Sequence, residues 1–366
     1  MRNLRFKPID KKIFWLTAAL SVIGLVVISS ASVVLSFQRF GNNNYYFFRQ
    51  AFFVGVGFIL MLILSRVDYH IFKRYSRIIL MIAVVMLVAV LVPQIGFKVG
   101  NARRWFNFGF SLFQPSEFAK LALIFYLAAW FETREFYLGS FYYGLLTPLL
   151  ATGLIGGLVI LQPDFGSMTA LFLIAFALFF AGGARLSHLL GISAAALGLF
   201  WMAIQAAPYR LERIITFFNP SEDRLGAAYQ INQALLGIGS GGMWGLGFGN
   251  SRQKFNFLPE PLGDSIFAIM SEELGFARVA VIIVLFLALI LSGYKLARSA
   301  PDRFGSLVAV GVTSWILIQA GLNIGAIVGL LPLTGLPLPF ISFGGSSVLA
   351  LFFGLGVLLN ISRQTR

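Results

Sequence analysis

The chain has no cysteine and only two histidines, His70 and His188, among its 366 residues. The first absence excludes disulfides, thiolate nucleophiles and cysteine-based metal sites. The second leaves a multi-histidine zinc or iron centre without ligands. Charge is scarce as well: Asp, Glu, Lys and Arg make up 11% of the residues, against roughly 25% in an average soluble domain. Acids are the scarcer sign, 14 against 28 basic residues, which leaves a formal net charge of +14. The basic residues are dispersed among short loops, so the excess reflects membrane topology and contact with anionic lipid headgroups rather than nucleic acid. No Gly-Lys-Ser/Thr occurs, and the glycines at 245, 247 and 249 follow no strand, so nucleotide-binding loops are excluded too.

What the chain has is apolar length. Hydrophobic residues make up 58% of it and its mean hydropathy is +0.85. Apolar runs near 13–36, 46–65, 78–93, 117–131, 144–161, 168–183, 187–206, 265–292, 305–329 and 342–361 predict an all-α, polytopic membrane protein of about ten spans. The first run follows a basic start but exceeds the ~7 to 15 residues of a cleaved signal core, so it reads as a retained span. An even number of spans puts both termini on one side. Lys and Arg concentrate at the N-terminus, in the short loops 66–77, 132–143, 184–186 and 293–304, and in the C-terminal tail, which marks that side as cytoplasmic. No internal repeat or separate soluble domain is visible, so 1–366 reads as one membrane domain. Its one large extracytoplasmic loop, 207–264, precedes the eighth span, and 228–249 within it predicts a short amphipathic helix followed by a compact loop.

The outward loops hold the candidate chemistry. Asn101-Ala-Arg-Arg-Trp-Phe, with Lys98 nearby, places Arg103 and Arg104 beside an indole. Planar guanidiniums suit a pyrophosphate; headgroup anchoring at the interface is the competing reading. In Gln114-Pro-Ser-Glu-Phe-Ala-Lys120, Pro115 and Ser116 open a helix and put Glu117 and Lys120 on one face. That pair either neutralises itself or lines a polar cavity that orients substrate. In Gln162-Pro-Asp-Phe-Gly-Ser167, Asp164 reads as a cap on the sixth span.

The rest of the chain is organised around Leu258–Gly275, which gathers Glu260, Asp264, Glu272 and Glu273. Pro259 and Pro261 delay any helix until about Gly263. A helix from Ser265 to Ser292 then puts Asp264 at its mouth, with Glu272 and Glu273 roughly 12 to 14 Å deeper at 1.5 Å per residue. Asp264 is equally well placed to be that helix's N-cap. Leu336–Ser347 interrupts the last span with prolines and glycines, which is tolerated where backbone is buried or lines a cavity.

Together these pieces resemble the SEDS family (shape, elongation, division and sporulation proteins) over nearly the whole chain. Tyr46–Gln50, Pro208–Arg213, Gly239–Gly242, Phe257–Pro261, Ser271–Gly275 and Leu338–Ser347 carry the likeness alongside the motifs above. Gly344–Ser347 and Asn360–Arg363 resemble the FtsW or SpoVE branch more than RodA.

The resemblance implies a ten-span peptidoglycan glycosyltransferase of the bacterial cytoplasmic (inner) membrane, polymerising lipid II on its outer face, with a role in cell division or, alternatively, elongation. It implies a class B penicillin-binding protein as transpeptidase partner and other divisome or elongasome membrane proteins. The family's essential aspartate falls on Asp264, preceded here by Leu262-Gly263 where the family has His-Thr or Gln-Thr. Asp264 would be the base, with Arg103, Arg104 and Lys120 stabilising the departing pyrophosphate. A divalent cation (Mg or Mn) would assist that departure, but the sequence offers no closed metal site. A lipid II flippase and a purely structural scaffold are the rival readings.

Overall fold

The computed structural model describes residues 8–100, 102–109, 111–205, 211, 217 and 227–365. Asn101, nearly all of the Pro208–Arg213 motif and the 221–226 part of the large loop lie outside the described residues.

Each predicted apolar run contains a helix. In chain order these are α1 (Lys11–Ala31) with its continuation α2 (Val33–Phe40), α3 (Tyr45–Leu64), the short α4 (His70–Arg74), α5 (Ser76–Ala89) and α6 (Pro115–Thr133). Then follow α7 (Leu146–Leu161), α8 (Phe165–Gly182), α9 (Leu186–Gln205), α10 (Ala227–Gly241), α11 (Ile266–Ser299), α12 (Arg303–Ile327) and α13 (Gly345–Gln364). Among the described residues, seven helices are long and apolar enough to cross a membrane; α5 and part of α9 are shorter apolar helices. Aspartates start three helices: Asp10 accepts from the Lys12 and Ile13 amides, Asp164 from Ser167 and Asp302 from Gly305. Pro115 opens α6, as its missing N–H permits at a first helical position.

Helices α6, α12 and α13 form the centre. α6 is buried on nearly every side; it packs on α5, α8 and α12, while α13 packs on α3. Outer faces carry the apolar surface that lipid covers, such as Phe48 and Ile59 of α3 and Val284 of α11.

Two features depart from the sequence reading. The loop expected over Gln94–Ser116 contains a small antiparallel sheet, β1 (Phe97–Val99), β2 (Ala102–Asn107) and β3 (Leu112–Phe113), in that order. In its register Lys98 faces Arg103 and Phe106 faces Phe113. The second departure is in α11, which is not one continuous helix from Ser265 to Ser292. It breaks at Gly275, whose φ of 75° and ψ of 170° are not helical.

The break is bridged by a strap running from the end of α10. The Phe276 and Ala277 amides donate to the Gly242 and Met243 carbonyls at 2.9 and 3.1 Å, and the Leu246 and Gly247 amides donate to Glu272 and Glu273 at 2.9 and 3.1 Å. A Cβ on Gly275 would lie 2.2 Å from the Gly245 nitrogen, so side chains are excluded on steric as well as conformational grounds.

Candidate active site

Asp264 lies where the polar excursion meets α11. Glu260, at a φ of 46°, and the flanking prolines keep the approach non-helical, and the helix starts only at Ile266. Ser265, not Asp264, occupies the N-cap position and makes no side-chain cap. The capping role considered for Asp264 is therefore corrected. Its half-buried carboxylate instead accepts from the Gln230 amide of α10 at 3.3 Å and from the Ser265 hydroxyl at 3.4 Å. Gln230 also donates to Ser265 at 2.8 Å, which fixes the amide's orientation.

The backbone around Asp264 is clasped from two sides. Three successive carbonyls each accept a bond from far along the chain: Leu262 from the Phe343 amide at 2.9 Å, Gly263 from the Ser342 hydroxyl at 2.6 Å, and Asp264 from the Asn323 amide at 2.8 Å. The donors at 342 and 343 belong to the irregular segment before α13. Gln50 of α3 grips that segment through the Ser342 carbonyl and the Gly344 amide, both at 3.2 Å. Asn323 also donates to the Leu336 carbonyl at 2.8 Å, and Gln319, one turn earlier on α12, donates to Pro337 at 2.9 Å. A turn and a broken span are thus locked to one polar stripe of α12. At Gly263 a Cβ would meet Glu260 at an ordinary 3.7 Å, so the departure from the family threonine is not a matter of space.

Gln319 leads on to Lys120. The Lys120 ammonium donates to Gln319 at 2.9 Å and to Glu117 at 2.8 Å, and lies 5.0 Å from the centre of the Trp315 ring. Both charged side chains are almost fully buried. The structure therefore shows a closed ion pair within α6, tied to α12 through Gln319, not a pair lining an open cavity. Among the described residues the second Glu117 carboxylate oxygen has no partner.

The basic loop is anchored rather than free. Arg104 donates to the Gln162 carbonyl at 2.9 Å and to that of Pro163, and its guanidinium lies 3.8 Å from the Asp164 carboxylate. Asp164 also accepts from Gln114 at 3.0 Å and caps α8, as expected. Arg103 is half-buried, with one weak bond to the Leu91 carbonyl at 3.4 Å, and its Nε has no partner among the described residues. Lys98 is exposed on the neighbouring strand. The expected site residues thus fall into an Asp264 group, a Lys120–Glu117 group joined to it through α12, and a sheet group of Lys98, Arg103, Arg104 and Asp164.

The sequence reading missed Gln230, Gln319, Asn323 and Lys254. The two amides on α12 carried a usable signal, since polar side chains spaced by four residues inside an apolar run are costly unless they have partners. Lys254 carried none. Its ammonium is buried against Glu273 at 3.1 Å and Ser30 of α1 at 3.2 Å. Glu272 is held by the Ser251 hydroxyl at 2.5 Å and the Arg252 amide at 3.0 Å. Glu272 and Glu273 thus belong to the strap, not to the Asp264 site.

Among the described residues no group of three or more His, Asp or Glu could hold a metal ion. A closed Mg or Mn site is therefore not formed among the described residues.

Comparison with known proteins places this geometry. The cell cycle protein profile of FtsW, RodA and SpoVE matches residues 11–366. Stage V sporulation protein E of Bacillus subtilis (strain 168) is 42% identical over 352 residues, 96% of this chain and 96% of that protein. The probable peptidoglycan glycosyltransferase FtsW of Trichlorobacter lovleyi is 37% identical over 362 residues, 99% of this chain and 95% of that one. A chain solved in a study of polymerization and crosslinking by a peptidoglycan synthase complex superimposes with a TM-score of 0.81 at 29% identity, covering 97% of this chain and 98% of its own. The crystal structure of Thermus thermophilus rod shape determining protein RodA gives 0.73 at 28% identity, covering 100% and 99%. With its full span matched in sequence and in fold, the chain belongs to the FtsW/RodA/SpoVE family of multi-pass membrane proteins.

Proposed function

We propose that the chain is a peptidoglycan glycosyltransferase that polymerises lipid II into β-1,4 glycan strands on the outer face of the bacterial cytoplasmic membrane. The observation that carries this reading is Asp264: a carboxylate at the helix mouth, not used as a cap, that accepts from Gln230 and Ser265 while its backbone is clasped on both sides. That is the arrangement a general base needs, a carboxylate fixed in place at the mouth of the site.

In the proposed step the acceptor 4-hydroxyl attacks the anomeric carbon of the donor, and its proton passes to Asp264. The bond from that carbon to the pyrophosphate breaks, the lipid pyrophosphate leaves with the electron pair, and the α-linkage becomes β. Arg103 and Lys98 face each other across the sheet and are the cations available to the leaving group. Arg104 and Asp164 hold the loop that carries them. Lys120 and Glu117 keep α6 against the stripe that fixes Asp264. The FtsW-named relatives support a role in division, with elongation as the alternative, and a class B penicillin-binding protein is the expected transpeptidase partner.

The test is the purified chain, alone and with its transpeptidase, incubated with lipid II and read as glycan length. Asp264→Asn should insert and fold normally and make no glycan. Measurable polymerisation by that variant sinks the assignment of Asp264 as base. A flippase would make none even as wild type.

A further inference from the structure

At the end of the molecule opposite the Asp264 mouth, the start of α1, the last turns of α11 and the end of α13 line an open cleft of about 540 Å³. Its mouth is lined by Lys11, Lys12 and Lys295, with hydroxyls from Ser299, Ser362 and Thr365. A second cavity of about 520 Å³ shares Lys11, Lys12 and Ser292 with the first and continues along Trp15, Leu16 and Ala288. The two form one groove between α1 and α11.

The three lysines are exposed, and among the described residues no carboxylate lies within salt-bridge reach of them. The one acid in the lining, Asp10, caps α1 through the Lys12 and Ile13 amides at 2.8 and 3.2 Å. The mouth therefore presents three ammoniums against one carboxylate, none of them in an ion pair among the described residues, around a space large enough for a ligand. The walls change character in the same order on both helices. On α1, Trp15 and Leu16 follow the lysines one turn further in, and on α11, Leu291 and Ala288 precede Lys295 by one and two turns. A cationic end followed by an apolar channel matches an amphiphile. A free anion would have no use for the second half.

We propose that this groove binds an anionic phospholipid of the leaflet on that side, its phosphate at Lys11, Lys12 and Lys295 and one acyl chain along Trp15 and Leu291. The shared chemistry with a free phosphate is the mouth alone; the channel commits the site to lipid. Since α11 also carries the Asp264 mouth at its other end, an occupied groove braces that helix against α1.

The experiment uses the purified full-length chain in detergent, read by native mass spectrometry against phosphatidylglycerol and phosphatidylcholine of identical acyl chains, and against inorganic phosphate as competitor. Wild type should retain one phosphatidylglycerol in preference to phosphatidylcholine. Each Lys→Gln change should weaken that preference about fivefold, and the triple Gln variant roughly a hundredfold, as expected for one juxtamembrane charge at a time. The triple Arg variant should keep it. Ala288→Phe, which fills the channel and leaves every charge in place, should also weaken phosphatidylglycerol. Equal retention of the two lipids, an unchanged preference in the triple Gln variant, or complete displacement by millimolar phosphate would each overturn the proposal.

Discussion

The side-chain amide of Asn323 donates to the backbone carbonyl of Asp264 at 2.8 Å and, with its other hydrogen, to that of Leu336 at the same distance. One residue of α12 therefore ties the mouth of α11 to the irregular segment before α13. Asn323 is buried, and its own oxygen has no partner among the described residues. The amide is held there by what it donates.

Asn323→Leu keeps the volume and removes both donors. Each undonated buried carbonyl costs ~1–3 kcal/mol, so the thermal midpoint should fall. Polymerisation should drop more than tenfold in kcat with KM for lipid II within about twofold, because the variant loosens the proposed base without touching a binding group. The pH profile should keep its shape, since the titrating group is unchanged. A loss confined to KM would refute the positioning role.

Lys120→Met leaves Glu117 buried without its cation, and breaking a buried pair this way costs about 3–5 kcal/mol. The double variant Glu117→Leu, Lys120→Met should recover most of that stability in thermal unfolding. Polymerisation should stay low, because Gln319 keeps only the Trp315 indole of its two donors and with it a looser hold on the Pro337 carbonyl. Full activity in the double variant would show that the pair serves packing alone.

The neighbouring arginines should separate cleanly. Arg104→Ala removes the tie to Gln162, Pro163 and Asp164, and should lower stability by ~1–3 kcal/mol together with activity. Arg103→Ala should leave the thermal midpoint nearly unchanged, as for most changes away from strong contacts at about ±0.5 kcal/mol, and still cut glycan synthesis. If the two behave alike in unfolding, the division between anchor and phosphate ligand is wrong.

The positions of the helices were legible because apolar length is a local property, and so was the turn chemistry of Pro115, Asp164 and Pro259–Pro261. The Asp264 position was legible too, through the acid cluster around it. Commitments between distant residues were not. Nothing near Arg104 in sequence announces that the carbonyls of Gln162 and Pro163 will occupy it, and Lys254 reads as an exposed loop lysine until Ser30 and Glu273 enclose it. The break at Gly275 was hidden for a related reason. A glycine inside an apolar run reads as a tolerated weakness, and only the strap supplies the alternative hydrogen bonds.

A fourth prediction concerns the opposite end of the bundle. Burial holds the Tyr69 hydroxyl protonated well above its ordinary range, and its bond to the Asp302 carboxylate adds to this. Asp302 in turn caps α12 at Gly305, at 2.6 Å. A folded-state pKa raised above the unfolded one contributes stability that is fully present below about pH 10 and is lost as pH rises through the folded value. Wild type should therefore lose thermal stability progressively in strong alkali. Tyr69→Phe should flatten that decline while lowering stability at neutral pH by about 0.5–1.5 kcal/mol. An identical alkaline slope in both proteins would remove Tyr69 from the linkage.

The break at Gly275 also dictates an order of assembly. The Glu272 and Glu273 carbonyls and the Phe276 and Ala277 amides are completed by Gly242–Gly247, which the ribosome makes about thirty residues earlier. In hydrocarbon each such group left alone costs several kcal/mol, so α11 cannot enter lipid as a finished span and find its neighbours afterwards. The strap has to meet it during insertion. For this helix, entering the membrane and acquiring tertiary structure are one event, and the last peptide units to be satisfied lie within about three turns of the Asp264 carboxylate.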